Sequence, residues 1–118
     1  MEKTVLLVDD DLVLRDIVQD VLEDEGYDVI PAADGRQALE FLRTSGGSVD
    51  APALMILDLR MPLVDGWQVL EAIKSDPSLQ VPTIVVSASD PALHGSVATF
   101  LHKPFNLGEL LDTVHRRC

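Results

Sequence analysis

Val5-Leu6-Leu7-Val8-Asp9-Asp10-Asp11 is the stretch that decides the fold class. A short, unbroken run of branched apolar residues reads as a strand buried on both faces, as in a parallel sheet. Three carboxylates stop it. Leu14, Ile17, Val18, Val21 and Leu22 follow at spacings of three and four, which is the stripe of an amphipathic helix. Gly26 stands where glycine ends a helix. Strand, acids, helix, glycine is therefore the opening unit.

The same unit recurs along the chain. Tyr27 to Pro31 reads as a weaker strand at an edge, diluted by Asp28 and Pro31. Asp34 is a candidate N-cap for a helix carrying Ala38, Leu39, Phe41 and Leu42. Ser45 to Pro52 is loop-like. Leu54 to Leu57 is a third buried strand, ending at Asp58, and Pro62 to Gly66 makes a turn. Trp67, Val69, Leu70 and Ile73 form the next stripe, closed by Asp76-Pro77. Thr83 to Val86 is a fourth strand that stops at Ser87, and Val97 to Leu101 a fifth that runs toward Lys103-Pro104. Leu107, Leu110, Leu111 and Val114 build a last helix, with His115 to Arg117 suited to the negative end of its dipole. Residues 89–96 hold Pro91 and Gly95 and show little periodicity, so one helical turn at most is expected there. Strands alternating with helices mean a parallel sheet covered on both faces.

The totals narrow the function. At 118 residues the chain is expected to be one domain, 1–118, with no linker to a second. Hydrophobic residues are 47% and aromatics 4%, so the core is aliphatic. A net charge of −11 argues against direct nucleic-acid binding, which needs clustered Lys and Arg. No apolar run approaches the ~20 residues of a membrane span, and Met1-Glu2-Lys3-Thr4 leads straight into a strand, so no leader is expected. Cys118 is the sole cysteine, read as an inert tail residue, and a cytoplasmic setting fits it.

The chemistry lies where the strands stop. In an open α/β sheet, ligands bind in the crevice outside the carboxyl ends of the strands. Asp9, Asp10, Asp58, Ser87 and Lys103 all occupy such ends. Adjacent acids point in different directions because side chains alternate, so one can ligate a cation while the other holds a water or Lys103. Asp58 completes an oxygen ligand set that suits Mg²⁺, with Mn²⁺ as a substitute. Clustered carboxylates with no cation raise one another's pKa, so a metal, Lys103 or both belong there. A carboxylate at a strand tip can attack phosphorus and form an acyl phosphate. Lys103 and the metal would neutralise the transferring oxygens, and Ser87 would hydrogen-bond one of them in the modified state alone, which can drive a switch.

Leu6 to Asp11, Ile56 to Pro62 through Asp65-Gly66, Val85 to Ala88, and Lys103-Pro104-Phe105, in this order, closely resemble the receiver domain of bacterial two-component response regulators. The likeness covers Val5 to about Arg116. It implies a five-stranded, doubly wound, flavodoxin-like (βα)5 domain with a shortened or irregular fourth helix. It implies phosphoryl transfer to Asp58 from a sensor histidine kinase, a phosphotransfer protein or a small donor such as acetyl phosphate, and an output partner or output domain that reads the result. It makes Asp10 the direct metal ligand, Asp9 a ligand through water or a positioner of Lys103, and the Arg60 carbonyl a further ligand. It places Ser87 and Phe100 at the switch positions and makes the Lys103-Pro104 bond cis. It implies slow self-phosphorylation and autodephosphorylation rather than metabolic turnover. The chain departs from the family in a shorter stretch between Ser87 and Lys103, and Phe100 lacks the hydroxyl of the more usual tyrosine.

Plainer readings stand beside these. Singly, Ser87 is an ordinary strand-end hydroxyl and Lys103 a solvated lysine, while Asp11 suits an acidic helix N-terminus. His94, His102 and His115 show no metal spacing and read as surface residues. A phosphohydrolase of similar fold would carry a second acid where Arg60 stands, and a flavin carrier would not put Asp9 to Leu12 against a phosphate. The serious alternative is a phosphorylation-independent interaction module on the same fold.

Overall fold

The computed structural model describes residues 3–45, 51–61, 64–88 and 99–118. Strands β1 (Thr4–Val8), β2 (Asp28–Ala32), β3 (Leu54–Asp58), β4 (Thr83–Ser87) and β5 (Thr99–His102) form one sheet in the order β2-β1-β3-β4-β5. Every neighbouring pair is parallel. Helices α1 (Leu12–Asp24), α2 (Gly35–Ser45), α3 (Gly66–Ser75) and α4 (Leu107–Arg117) cover it, with a 3₁₀ turn at Pro77–Leu79. This is the flavodoxin-like order, with its switch point between β1 and β3. Residues 89–96, where one turn at most is expected, and the proposed strand start at Val97 lie outside the described residues.

Alternation along each strand divides the core in two. Val5, Leu7, Leu54, Ile56, Ile84 and Val86 face Val18 and Leu22 of α1 and Leu110 and Val114 of α4. Leu6, Val8, Met55 and Leu57 face Ala38, Leu39 and Leu42 of α2 and Val69 and Ile73 of α3. Each fully buried Leu, Val or Ile contributes about 1.5–3 kcal/mol relative to exposure. β2 lies at the edge, where exposed Pro31 withholds no hydrogen bond from a further strand.

The helix ends follow their sequence signals. Asp11 caps α1 by accepting from the Leu14 N–H at 3.1 Å. At the other end Gly26 has φ +93°, its N–H donates to the Glu23 carbonyl, and the Tyr27 N–H donates to the Leu22 carbonyl. That is a Schellman closure, and glycine takes its left-handed conformation at least cost. Asp34 caps α2 through the Gln37 N–H at 2.9 Å.

Two expectations change. Ile17, counted in the α1 stripe, is 44% exposed. Leu14, Val18 and Leu22 lie one above another at i, i+4 and i+8 against the sheet, and a 100° step turns Ile17 away. Cys118, read as an inert tail residue, is held in place. It packs against the α1–α4 core, its N–H donates to the Val114 carbonyl, its carbonyl accepts from Lys3 Nζ, and burial pushes its thiol pKa up.

Candidate functional site

β1 and β3 are neighbours, and their carboxyl ends deliver Asp9 and Asp58 to the switch point. Both residues are buried, 6% and 5% exposed. Lys103 reaches them from just beyond β5, its Nζ 3.2 Å from Asp9 Oδ2 and 3.2 Å from Asp58 Oδ2. The Lys103 N–H donates to the Ser87 carbonyl at 2.8 Å, which ties the lysine backbone to the end of β4. The Lys103–Pro104 peptide is cis. Asp10 is exposed, yet one carboxylate oxygen from each of Asp9, Asp10 and Asp58 lies within 4.8 Å of the others. Ser87 is buried at the end of β4, opposite His102.

Backbone amides hold the acids in place. The Asp11 N–H donates to Asp9 Oδ1 at 2.9 Å, and the Arg60 N–H to Asp58 Oδ1 at 3.1 Å. Behind Asp58, the Leu59 N–H donates to the Val86 carbonyl and the Gly66 N–H to the Leu59 carbonyl. A Cβ on Gly66 would stand 2.5 Å from the Asp58 carbonyl oxygen and 2.6 Å from Leu59 Cα. Glycine there lets the start of α3 press against the strand end. Asp65 closes that start with a capping box, its side chain accepting from the Gln68 N–H while Gln68 accepts from the Asp65 N–H.

The charges are unbalanced. Burial pushes the Asp58 carboxyl above the usual carboxylate range; the Arg60 N–H opposes this, Asp9 adds to it, and Lys103 works against it. For Lys103, burial disfavours the ammonium, but the charges of Asp9 and Asp58 outweigh it and hold its pKa above the ordinary value. Three carboxylates against one ammonium leave the cluster negative, and the ligand atoms it offers are all hard oxygens. That donor set fits a divalent cation of the Mg²⁺ type.

A family model for the response regulator receiver domain matches residues 5–115. The chain belongs to that family. The transcriptional regulatory protein CpxR of Escherichia coli K12 is 37% identical to this receiver domain over 116 residues, 93% of the chain and 47% of that protein. The alkaline phosphatase synthesis transcriptional regulatory protein SphR of Synechococcus elongatus is 35% identical over 117 residues, 91% of the chain and 45% of that protein. The chain thus spans about half the length of the curated relatives it matches. Among solved structures, the chemotaxis protein CheY4 of Vibrio cholerae superposes with a TM-score of 0.84 at 30% identity, covering 100% of both chains. The Francisella response regulator 1452 receiver domain gives 0.83 at 28% identity, over 98% of this chain and 96% of that one. This receiver domain is a phosphoacceptor signalling switch, of a class that binds Mg²⁺ at an acidic pocket and takes its phosphoryl group from a histidine kinase or phosphodonor. A phosphorylation-independent role finds no better support in these likenesses. No helix among the described residues is long and apolar enough to cross a membrane.

Two of the named candidates sit further out. Arg60 is exposed, touching the site through its N–H. Phe100 is half-buried on β5, its ring 6.3 Å from that of His102 in an edge-on arrangement. Sequence reasoning passed over Arg15, whose Nη1 donates to the Asp9 carbonyl at 2.8 Å. Its only mark in the sequence is a cation on the first turn of α1, beside the apolar stripe. It also passed over a polar contact at the other end of the sheet. There the Tyr27 hydroxyl lies 2.6 Å from His115 Nδ1, and His115 Nε2 lies 3.4 Å from Glu25.

Proposed function

We propose that Asp58 is the phosphoacceptor of this receiver domain and that Asp9, Asp10 and Asp58, with the Arg60 carbonyl, hold Mg²⁺ or Mn²⁺ beside it. The observation that carries this reading is the bridge from Lys103 Nζ to Asp9 and Asp58 at equal distances, with Asp10 alongside. An Asp58 carboxylate oxygen attacks the donor phosphorus. The phosphorus–nitrogen bond of a phosphohistidine breaks, an acyl phosphate forms, and the leaving imidazole takes up a proton. Lys103 is within reach of the new phosphoryl oxygens and keeps Asp58 oriented beforehand. When bound, Mg²⁺ supplies positive charge against those same oxygens. The Ser87 hydroxyl, one strand over, turns to a phosphoryl oxygen in the phosphorylated state, and Phe100 on β5 follows it, which biases the switch.

The reading extends to the whole chain, 1–118, as one phosphoacceptor unit. Its partners are a sensor histidine kinase or phosphotransfer protein upstream and an output partner or output domain downstream. A cytoplasmic setting suits a chain whose one cysteine is free. The test is incubation with acetyl phosphate and Mg²⁺ followed by intact mass. One phosphoryl group is expected on the wild type and none on Asp58→Asn. An unmodified wild type, or a modified D58N, refutes the assignment.

A further inference from the structure

We propose that Arg15 is a positioning residue that aims Asp10 into the acidic site by holding the Asp9–Asp10 peptide, a role that rests on the assignment of Asp10 and Asp58 above. The four polar groups of Asp9 are each engaged by a different part of the chain. Its N–H donates to Ala32 of β2, its carbonyl accepts from Arg15, its Oδ1 accepts from the Asp11 N–H, and its Oδ2 pairs with Lys103. Asp10 has nothing comparable. Its side chain is exposed and makes no hydrogen bond or ion pair among the described residues. Its direction is therefore set by the backbone on either side.

A peptide unit is planar, so fixing the direction of the Asp9 carbonyl also fixes the direction of the Asp10 N–H and the bond to Asp10 Cα. Arg15 fixes the first of these at 2.8 Å. The Asp11 N–H, bound to Asp9 Oδ1, and the Asp11 cap on Leu14 fix the far side. Arg15 is in turn anchored on the same first turn, its N–H donating to the Asp11 carbonyl at 2.9 Å. The guanidinium therefore clamps a loop whose one unheld side chain is Asp10.

The choice of acceptor also matters. A guanidinium near carboxylates ordinarily pairs with them, often through two parallel bonds. Arg15 makes no ion pair among the described residues and donates to a carbonyl. It stiffens the site without pairing directly with the carboxylates a cation needs. Groups that orient metal ligands from behind typically change affinity by about 10–100-fold when removed.

The experiment uses the full chain. Arg15→Met keeps the aliphatic stem and removes the donor, Arg15→Gln shortens it, and Arg15→Lys restores a long donor. In metal-free protein, the NMR shifts of the Asp9 carbonyl carbon and the Asp10 amide nitrogen are expected to move in R15M and to return part-way in R15K. Calorimetric titration is expected to give Mg²⁺ affinity about ten-fold weaker in R15M. With acetyl phosphate, half-maximal Mg²⁺ rises by the same factor while the rate at saturating Mg²⁺ stays near wild type. Should R15M not fold, R15Q carries the same readouts. Wild-type Mg²⁺ affinity and unmoved Asp9 and Asp10 shifts in the folded variant overturn the role of Arg15 alone. A wild type that neither binds Mg²⁺ nor accepts phosphoryl overturns the Asp58 assignment, and the Arg15 role with it.

Discussion

Lys103 Nζ stands 3.2 Å from Asp58 Oδ2 across a sequence separation of 45 residues, and it shares its charge with Asp9 at the same distance. One ammonium serves two strand ends. That arrangement orients Asp58 yet leaves the cluster of carboxylates short of positive charge, and the predictions for stability and for the proposed chemistry follow from the shortfall.

Replacing Lys103 by Met removes the charge and hydrogen bond that work against the rise in the Asp58 pKa. The Asp58 carboxyl is expected to titrate higher still, read from its ¹³Cγ shift against pH in chelator; an unmoved titration contradicts the bridge. The Lys103 pKa lies above its ordinary 10.5, so its stabilising contribution is fully present below 10.5 and is lost as pH rises through the raised value. The stability gap between wild type and K103M in urea is thus expected to persist at neutral pH and to close in alkali.

Asp58→Asn tests the opposite side of the pair. The folded-state pKa of Asp58 is raised, so its favourable contribution is complete below the ordinary 3.8 and is lost as pH rises through the folded value. Without metal, ionising this carboxyl therefore opposes folding. Asparagine keeps an oxygen for the Arg60 N–H and carries no charge. D58N is expected to melt higher than wild type at pH 7 in chelator, to lose that advantage below the ordinary value, and to lose stabilisation by Mg²⁺. A lower melting point at pH 7 would contradict this.

Gly66→Ala puts a Cβ 2.5 Å from the Asp58 carbonyl oxygen. Backbone has to move, which costs about 1–3 kcal/mol in an overpacked site. Because the displaced backbone is that of the proposed acceptor, G66A is expected to lose phosphoryl uptake as well as stability. Gly108→Ala serves as the control, since its nearest atom is a side-chain oxygen of Asn106 at 3.4 Å. Equal denaturation midpoints for the two variants would contradict the packing argument.

Leu110→Ala empties a fully buried position between α4 and the sheet and is expected to cost about 2–5 kcal/mol in chemical denaturation. Val13→Ala, on the exposed side of α1, is expected to stay within about 0.5 kcal/mol of wild type. A loss in V13A as large as that in L110A would mean the faces of the helices are wrongly assigned.

Much of this was legible because buried parallel strands read as unbroken apolar runs, and a polar residue marks where each one stops. Asp9, Asp58 and Ser87 are such stops, and the chain order of strands and helices limits how they can be arranged. The caps at Asp11, Asp34 and Gly26 were readable for a related reason: their partners lie within four residues. Ile17 was misread because a period of three and four admits two neighbouring stripes, and the sheet selects one of them.

Arg15, Gly66 and the Tyr27–His115 contact were not legible. Arg15 binds a main-chain carbonyl, and every residue offers one of those, so the acceptor leaves no trace in the residue types. Gly66 matters because the carbonyl of Asp58 lies against it, and Tyr27 meets His115 across 88 residues. The local pattern of apolar and acidic residues by itself determined the strands, their buried faces and the acids at their ends, since those depend on neighbours in the chain. Only the tertiary structure decided which carbonyl the guanidinium would grip, which glycine had to be bare and which ammonium would be shared. Those depend on distances and directions that exist only once β1, β3, β4 and β5 stand side by side in one sheet.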